Sequence, residues 1–152
     1  MISPQLFNYV IVMFGILLFL IVFLVFYREK KFRERMQALT AGTAELTAAD
    51  FLETAQARSG QDFTGCYILH NVTKNKYYVG QGKSVLQRVK QHLTGHGNGD
   101  VYADYKYGDT FTVKTISLAQ SGYNSLNALE RDLIASHNAY TKGYNRTRGN
   151  RN

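Results

Sequence analysis

Apolar and polar positions are spread very unevenly along the 152 residues. Residues 9–27 run Tyr-Val-Ile-Val-Met-Phe-Gly-Ile-Leu-Leu-Phe-Leu-Ile-Val-Phe-Leu-Val-Phe-Tyr without a charge. About 20 such residues in a helix cross the roughly 30 Å hydrocarbon core of a bilayer. The segment is apolar all round, unlike a surface helix with one polar face. Tyr9 and Tyr27 stand at its ends, where amphipathic rings suit the headgroup level. A cleaved signal peptide would carry a basic start, a shorter apolar run and a small-residue cleavage site. Here the first 27 residues contain no Lys or Arg, and Arg28-Glu29-Lys30-Lys31 follows the run directly. The pattern predicts a transmembrane helix over 9–27 after a short extracytoplasmic N-terminus, residues 1–8.

Residues 28–60 lack this pattern. They read as a basic juxtamembrane segment and an Ala/Thr-rich, partly helical stalk, ending near Ser59-Gly60. Within it, Thr47-Ala48-Ala49-Asp50 resembles a helix start leading into Phe51-Leu52.

From Gly65 the periodicity becomes that of strands. Cys66 to Val72 is rich in β-branched and aromatic residues, Thr73-Lys74-Asn75 reads as a turn, and Tyr77-Tyr78-Val79 resumes the strand. A helix over about Ser84 to Leu93 follows, with Val85, Val89 and Leu93 on one stripe. The run Gly95-His96-Gly97-Asn98-Gly99 breaks it. Thr110 to Leu118 alternates Phe111, Val113 and Thr115 against Thr112, Lys114 and Ile116, a third strand. Asn124 or Ser125 caps a second helix carrying Leu126, Leu129 and Leu133. The predicted fold is α/β (α+β): a three-stranded sheet flanked by helices in β-β-α-β-α order, over residues 61–152.

Charge adds an orientation. All 18 Lys/Arg and 11 Asp/Glu residues lie after position 27, and residues 28–35 hold five basic side chains against two Glu. Positive charge beside a span stays on the cytoplasmic side, so the N-terminus is expected outside and the bulk inside, most simply at a bacterial inner membrane. The same cluster suits anionic headgroups. From residue 60 onward twelve Lys/Arg face six Asp/Glu, a basic domain suited to a polyanion. Cys66 is the only cysteine, so no intramolecular disulfide forms.

Several side chains invite chemistry. With the hairpin turn centred on Val72 and Thr73, Gly65 faces Gly80, and Tyr67 faces Tyr78 on a shared side of the sheet. The glycines leave bare backbone at that edge. Arg88 and His92 are four apart on a helix and project together. Glu130 lies beside Leu126, Leu133 and Ile134 with no basic residue three or four positions away, a costly place for a carboxylate unless something outside the helix compensates it. Taken singly, each has a plainer explanation: ring packing, a solvated arginine, a distant ion pair. Tyr102, Tyr105, Lys106 and Tyr107 suit either base stacking or packing on the sheet. Arg146, Arg148 and Arg151 suit either phosphate contact or a solvated terminus.

In combination these positions resemble the GIY-YIG nucleases. Gly65-Cys66-Tyr67 stands where that family has Gly-Ile-Tyr, and Tyr78-Val79-Gly80 where it has Tyr-Ile-Gly or Tyr-Val-Gly. Lys83, Arg88, His92, Glu130 and Asn145 stand at the family's lysine, essential arginine, His/Tyr position, metal-binding glutamate and late asparagine. The resemblance covers roughly residues 63–150, and Cys66 in place of an aliphatic residue is the one departure. It implies phosphodiester hydrolysis with one divalent cation, Mg²⁺ or Mn²⁺, held by Glu130. It also implies Tyr67 or Tyr78 as general base, with Tyr67 preferred, Arg88 on the phosphate and His92 assisting. Gly80, Lys83, Arg88 and Asn145 fall at phosphate- or DNA-binding positions, although Asn145 better suits ordering the C-terminal segment around Glu130. The expected protein is a membrane-anchored DNA endonuclease. No extra DNA-reading domain fits the length, so low sequence specificity is expected. The alternative is a silent, membrane-tethered nucleic-acid-binding module that kept the fold.

Overall fold

The computed structural model describes residues 4–58 and 60–150. The first three residues of the expected extracytoplasmic segment, Ser59 of the stalk and Arg151 of the basic tail lie outside them. The chain divides into two compact units, Met1–Gln37 and Ala38–Asn152.

A single uninterrupted helix, α1 (Pro4–Ala41), contains the whole apolar run. Its side chains from Phe7 to Tyr27 are exposed, so this helix is not the core of a soluble bundle within the chain. By length and composition it can cross a membrane, a property it shares with leader sequences. The helix continues through the basic segment, where Glu29–Arg33 and Lys30–Glu34 form exposed i,i+4 pairs.

The second unit is built on a four-stranded antiparallel sheet in the order β1-β4-β2-β3, from β1 (Glu45–Thr47), β2 (Gly65–Asn71), β3 (Lys76–Gly82) and β4 (Phe111–Ser117). Around it lie α2 (Ala48–Ala57), α3 (Val85–Leu93), α4 (Gly99–Lys106) and α5 (Leu126–Ser136). This corrects the expected three-stranded β-β-α-β-α arrangement. The extra strand lies in the segment read as stalk, where Glu45, Leu46 and Thr47 pair with Lys114, Val113 and Thr112. Three residues are too few to show a period of two. What holds them is tertiary: Glu45 pairs with Lys114 at 3.1 Å and accepts a hydrogen bond from Thr112. The helix start read at Thr47 is present, and its Oγ1 accepts from the Asp50 amide at 3.1 Å. Phe51 of α2 is buried in the same core as Val113.

Helix α4 is the other addition. Asn98, read as part of a glycine-rich break, is its N-cap and accepts from the Asp100 and Val101 amides. Tyr105 of this helix packs edge-on against Phe111 with centroids 6.0 Å apart, whereas Tyr107, the C-cap, is exposed.

Both faces of the sheet are covered, which is why β2 is buried almost without alternation. One face carries Tyr67, Leu69, Phe111 and Val113 into a core with Val85, Val89 and Val101. On the other, Cys66, Ile68 and Val79 are buried beneath α5, which supplies Leu129, Leu133 and Ile134.

The hairpin register differs from expectation by two residues. Its loop spans 72–75, so Gly65 pairs with Gly82 and Tyr67 with Gly80. The cause is Asn71, whose Oδ1 accepts from the Lys74 amide at 3.0 Å, while Asn75 takes a positive φ of 50°. A shift of two preserves the faces, so Tyr67 and Tyr78 remain neighbours, now diagonal, with centroids 6.2 Å apart.

Candidate active site

The candidate residues gather around the Gly80–Gly82 end of β3. A side chain at position 80 would collide with the Tyr67 hydroxyl, so glycine there lets the phenol lie flat across the strand. The Arg88 stem passes beside Gly82, and its exposed guanidinium donates to Gln91 Oε1 at 2.8 Å. Burial raises the pKa of both phenols, and the Arg88 charge beside them acts in the opposite direction. Tyr67 is fully buried (0% exposed), whereas Tyr78 is partly open to solvent. Lys83 is exposed beyond this edge.

His92 is fixed from both sides. The Asn98 backbone N–H donates to Nδ1 at 2.8 Å, and Nε2 lies 2.8 Å from Tyr67 Oη. An amide N–H only donates, so Nδ1 is the acceptor and the neutral ring carries its hydrogen on Nε2. Burial, with Arg88 adding repulsion, lowers the His92 pKa to about 4, so the ring is neutral at physiological pH. Tyr67 Oη therefore accepts a hydrogen bond from His92. Gly97 allows the loop this approach, because a Cβ there would strike the ring.

Glu130 sits on α5 at the other side of the same edge, 9% exposed. Gln81 Nε2 donates to its Oε2 at 2.8 Å and to Asn127 Oδ1 at 2.7 Å. Burial raises the Glu130 carboxyl above its ordinary range, while Gln81 and the Asn150 backbone N–H act against that shift. Tyr78 lies within electrostatic reach of both Arg88 and Glu130 and so stands between the two halves of the site. Cys66 is buried behind them. Its thiol is pushed up to about 12, by burial and by Glu130, which leaves it a small hydrophobe.

Asn145 performs a structural task. Its Oδ1 accepts from the Val79 amide at 2.8 Å and its Nδ2 donates to the Val79 carbonyl at 2.7 Å, so one side chain completes the outer edge of β3. Arg146 pairs with Asp100 at 3.3 Å in an exposed bridge of little energetic weight. Sequence reasoning missed Gln81 and the Gly97-Asn98 contact. Strand alternation offered a signal for Gln81, which must point to the face opposite Tyr78 and Gly80. The Asn98 contact depends on a loop path that no local pattern encodes.

Among the described residues no three His, Cys, Asp or Glu side chains cluster into a metal cage. One carboxylate at an open edge fits a hard cation that keeps most of its shell as water and substrate phosphate. The arrangement as a whole joins clustered phenols, an exposed arginine and one buried carboxylate on a small antiparallel sheet. The family model of the GIY-YIG catalytic domain matches residues 63–145, more than half of the chain, and the chain belongs to this family. No curated protein and no solved structure matches this chain.

Proposed function

We propose that the chain is a divalent-metal-dependent DNA endonuclease, anchored through residues 9–27 with its catalytic domain at the cytoplasmic face. The observation that carries this reading is the convergence of Tyr67, Tyr78, Arg88, His92 and Glu130 on one strand edge in a chain of the GIY-YIG family. Glu130 would hold Mg²⁺ or Mn²⁺, with water and phosphate oxygens as the remaining ligands. A bound cation would supply Lewis-acid stabilisation of charge on the phosphate.

The chain's own groups do the rest. Arg88 grips non-bridging phosphate oxygens with its planar fork. Tyr78, the phenol open to solvent, gives up its proton to solvent, and the Arg88 charge and the cation that Glu130 would hold keep it as phenolate against the effect of burial. In that state Tyr78 takes a proton from the attacking water. Its exposure favours it over Tyr67, which sequence reasoning preferred. Tyr67 and His92 form a rigid backing that orients Tyr78 and Arg88, and His92 acts as a fixed donor rather than a proton carrier. Lys83 lies where it can attract the phosphate backbone. Gln81 aims the Glu130 carboxylate.

The test is a set of folded variants assayed on plasmid DNA. Arg88→Ala should lose at least about a hundredfold in rate, the scale of one transition-state contact. Tyr78→Phe should abolish cutting, whereas Tyr67→Phe should leave a measurable residue. Wild-type rates for folded Arg88→Ala would overturn the assignment, and the reverse order of the two phenylalanine variants would return the base to Tyr67.

A further inference from the structure

Beyond the strand edge, the outer side of α5 carries a cavity of about 270 Å³ that the proposed chemistry does not use. Its floor is apolar, with Ile134 and Ala135 of the helix. One wall is the Tyr140 ring, and the Arg148 guanidinium lies over that ring at 5.4 Å from its centroid. Arg131, Asn138 and Thr141 also line it and add polar groups. No ion pair among the described residues uses Arg131 or Arg148.

These features select for a chemistry. Two arginines without carboxylate partners favour an anionic ligand. An exposed ring, a planar guanidinium and an apolar floor favour a flat aromatic group, which a bare phosphate or a lipid headgroup does not offer. A nucleotide has both parts. The cavity is also joined to the catalytic edge by the chain itself. Gly149, at φ +96°, lies against the Arg131 backbone, and the Asn150 backbone N–H is near enough to Glu130 to lower its carboxyl pKa. One residue, Gly149, stands between Arg148 on the cavity wall and the Asn150 N–H near the carboxylate.

We infer that this cavity is a nucleobase subsite, which takes one unstacked base of a strand whose phosphate lies at the Glu130 edge. The inference rests on the nuclease reading for its substrate class, and it narrows that class to DNA with an unpaired or easily flipped nucleotide near the cut.

The experiment uses the full chain in neutral detergent, with chelator present so that nothing is cut. Fluorescence anisotropy compares labelled oligo-dT with an abasic oligonucleotide of equal length and charge. Wild type should bind the base-bearing strand on the order of tenfold more tightly. Tyr140→Ala and Arg148→Ala should erase that preference, and Tyr140→Phe should keep it. Arg146→Ala, whose side chain lies outside the cavity, should weaken both strands and leave their ratio unchanged. Equal affinity of wild type for the two strands, or a preference that survives Tyr140→Ala, would overturn the subsite. Catalysis is read separately. A base preference without Mg²⁺-dependent cutting of any DNA supports the subsite and counts against the nuclease, and cutting without the preference does the reverse.

Discussion

The imidazole of His92 has one hydrogen, and its neighbours decide which nitrogen carries it. Because Nδ1 is taken by the Asn98 amide, the ring cannot accept a proton from Tyr67 without breaking that contact. Its folded-state pKa near 4 lies below the ordinary 6.5, so the native state resists protonation. Stability that is complete above about pH 6.5 should therefore fall as the pH drops toward 4, and His92→Gln should flatten this slope in a pH series of thermal melts. The pH–rate profile should show no inflection from a histidine near 6.5. Glu130 has the opposite sign. Its raised carboxyl costs stability at neutral pH, a cost relieved as the pH falls through the folded value toward 4.5. Glu130→Gln should therefore melt higher than wild type in chelator at pH 7, with the gap closing in acid. Added Mg²⁺ should raise the wild-type Tm alone. At this scale the residue types were legible, because a carboxylate among leucines and an arginine four from a histidine are anomalies that a sequence displays. The hydrogens between them were not, since Asn98 and Gln81 act through contacts whose partners are far apart in the chain.

At the scale of elements, the strongly periodic segments were legible and the short ones were not. Val85, Val89 and Leu93 mark α3, and Ser125 caps α5 by accepting from Ala128. Strand β1 has only three residues, and its place depends on the edge of β4 needing a partner. Even so, it ties α2 to the core. A chain beginning at Gly60 would lack β1 and α2 and expose the surface that Phe51 covers. Compared with a chain beginning at Ala38, it should show a lowered and broadened melting transition. Phe51→Ala in the full chain should cost about 3–5 kcal/mol by denaturant titration, the range for emptying a buried aromatic position. The hairpin register was misjudged because a four-residue loop closed by Asn71 leaves no sequence trace distinct from a two-residue one. Only the even size of the shift kept the two tyrosines on one face.

The whole molecule joins a basic nuclease-family domain to a helix able to cross a membrane. That helix runs on to Ala41, so residues 28–41, read as a basic segment and the start of a stalk, are helical rather than extended. On the proposed topology, cutting should be confined to DNA brought to the membrane surface. Alkaline phosphatase fused after Asn152 should be inactive, and activity there would place the domain outside. DNA binding should weaken steeply with salt, as phosphate contacts release counterions. The most direct measurement is single-turnover cleavage of supercoiled plasmid by the full chain in detergent, titrated with Mg²⁺, for wild type and folded Glu130→Ala. The assignment of the metal to Glu130 requires metal-dependent cutting by wild type, none in chelator, and none by the variant at any Mg²⁺ concentration. Cutting by wild type in chelator, or by Glu130→Ala at the wild-type rate, would contradict it.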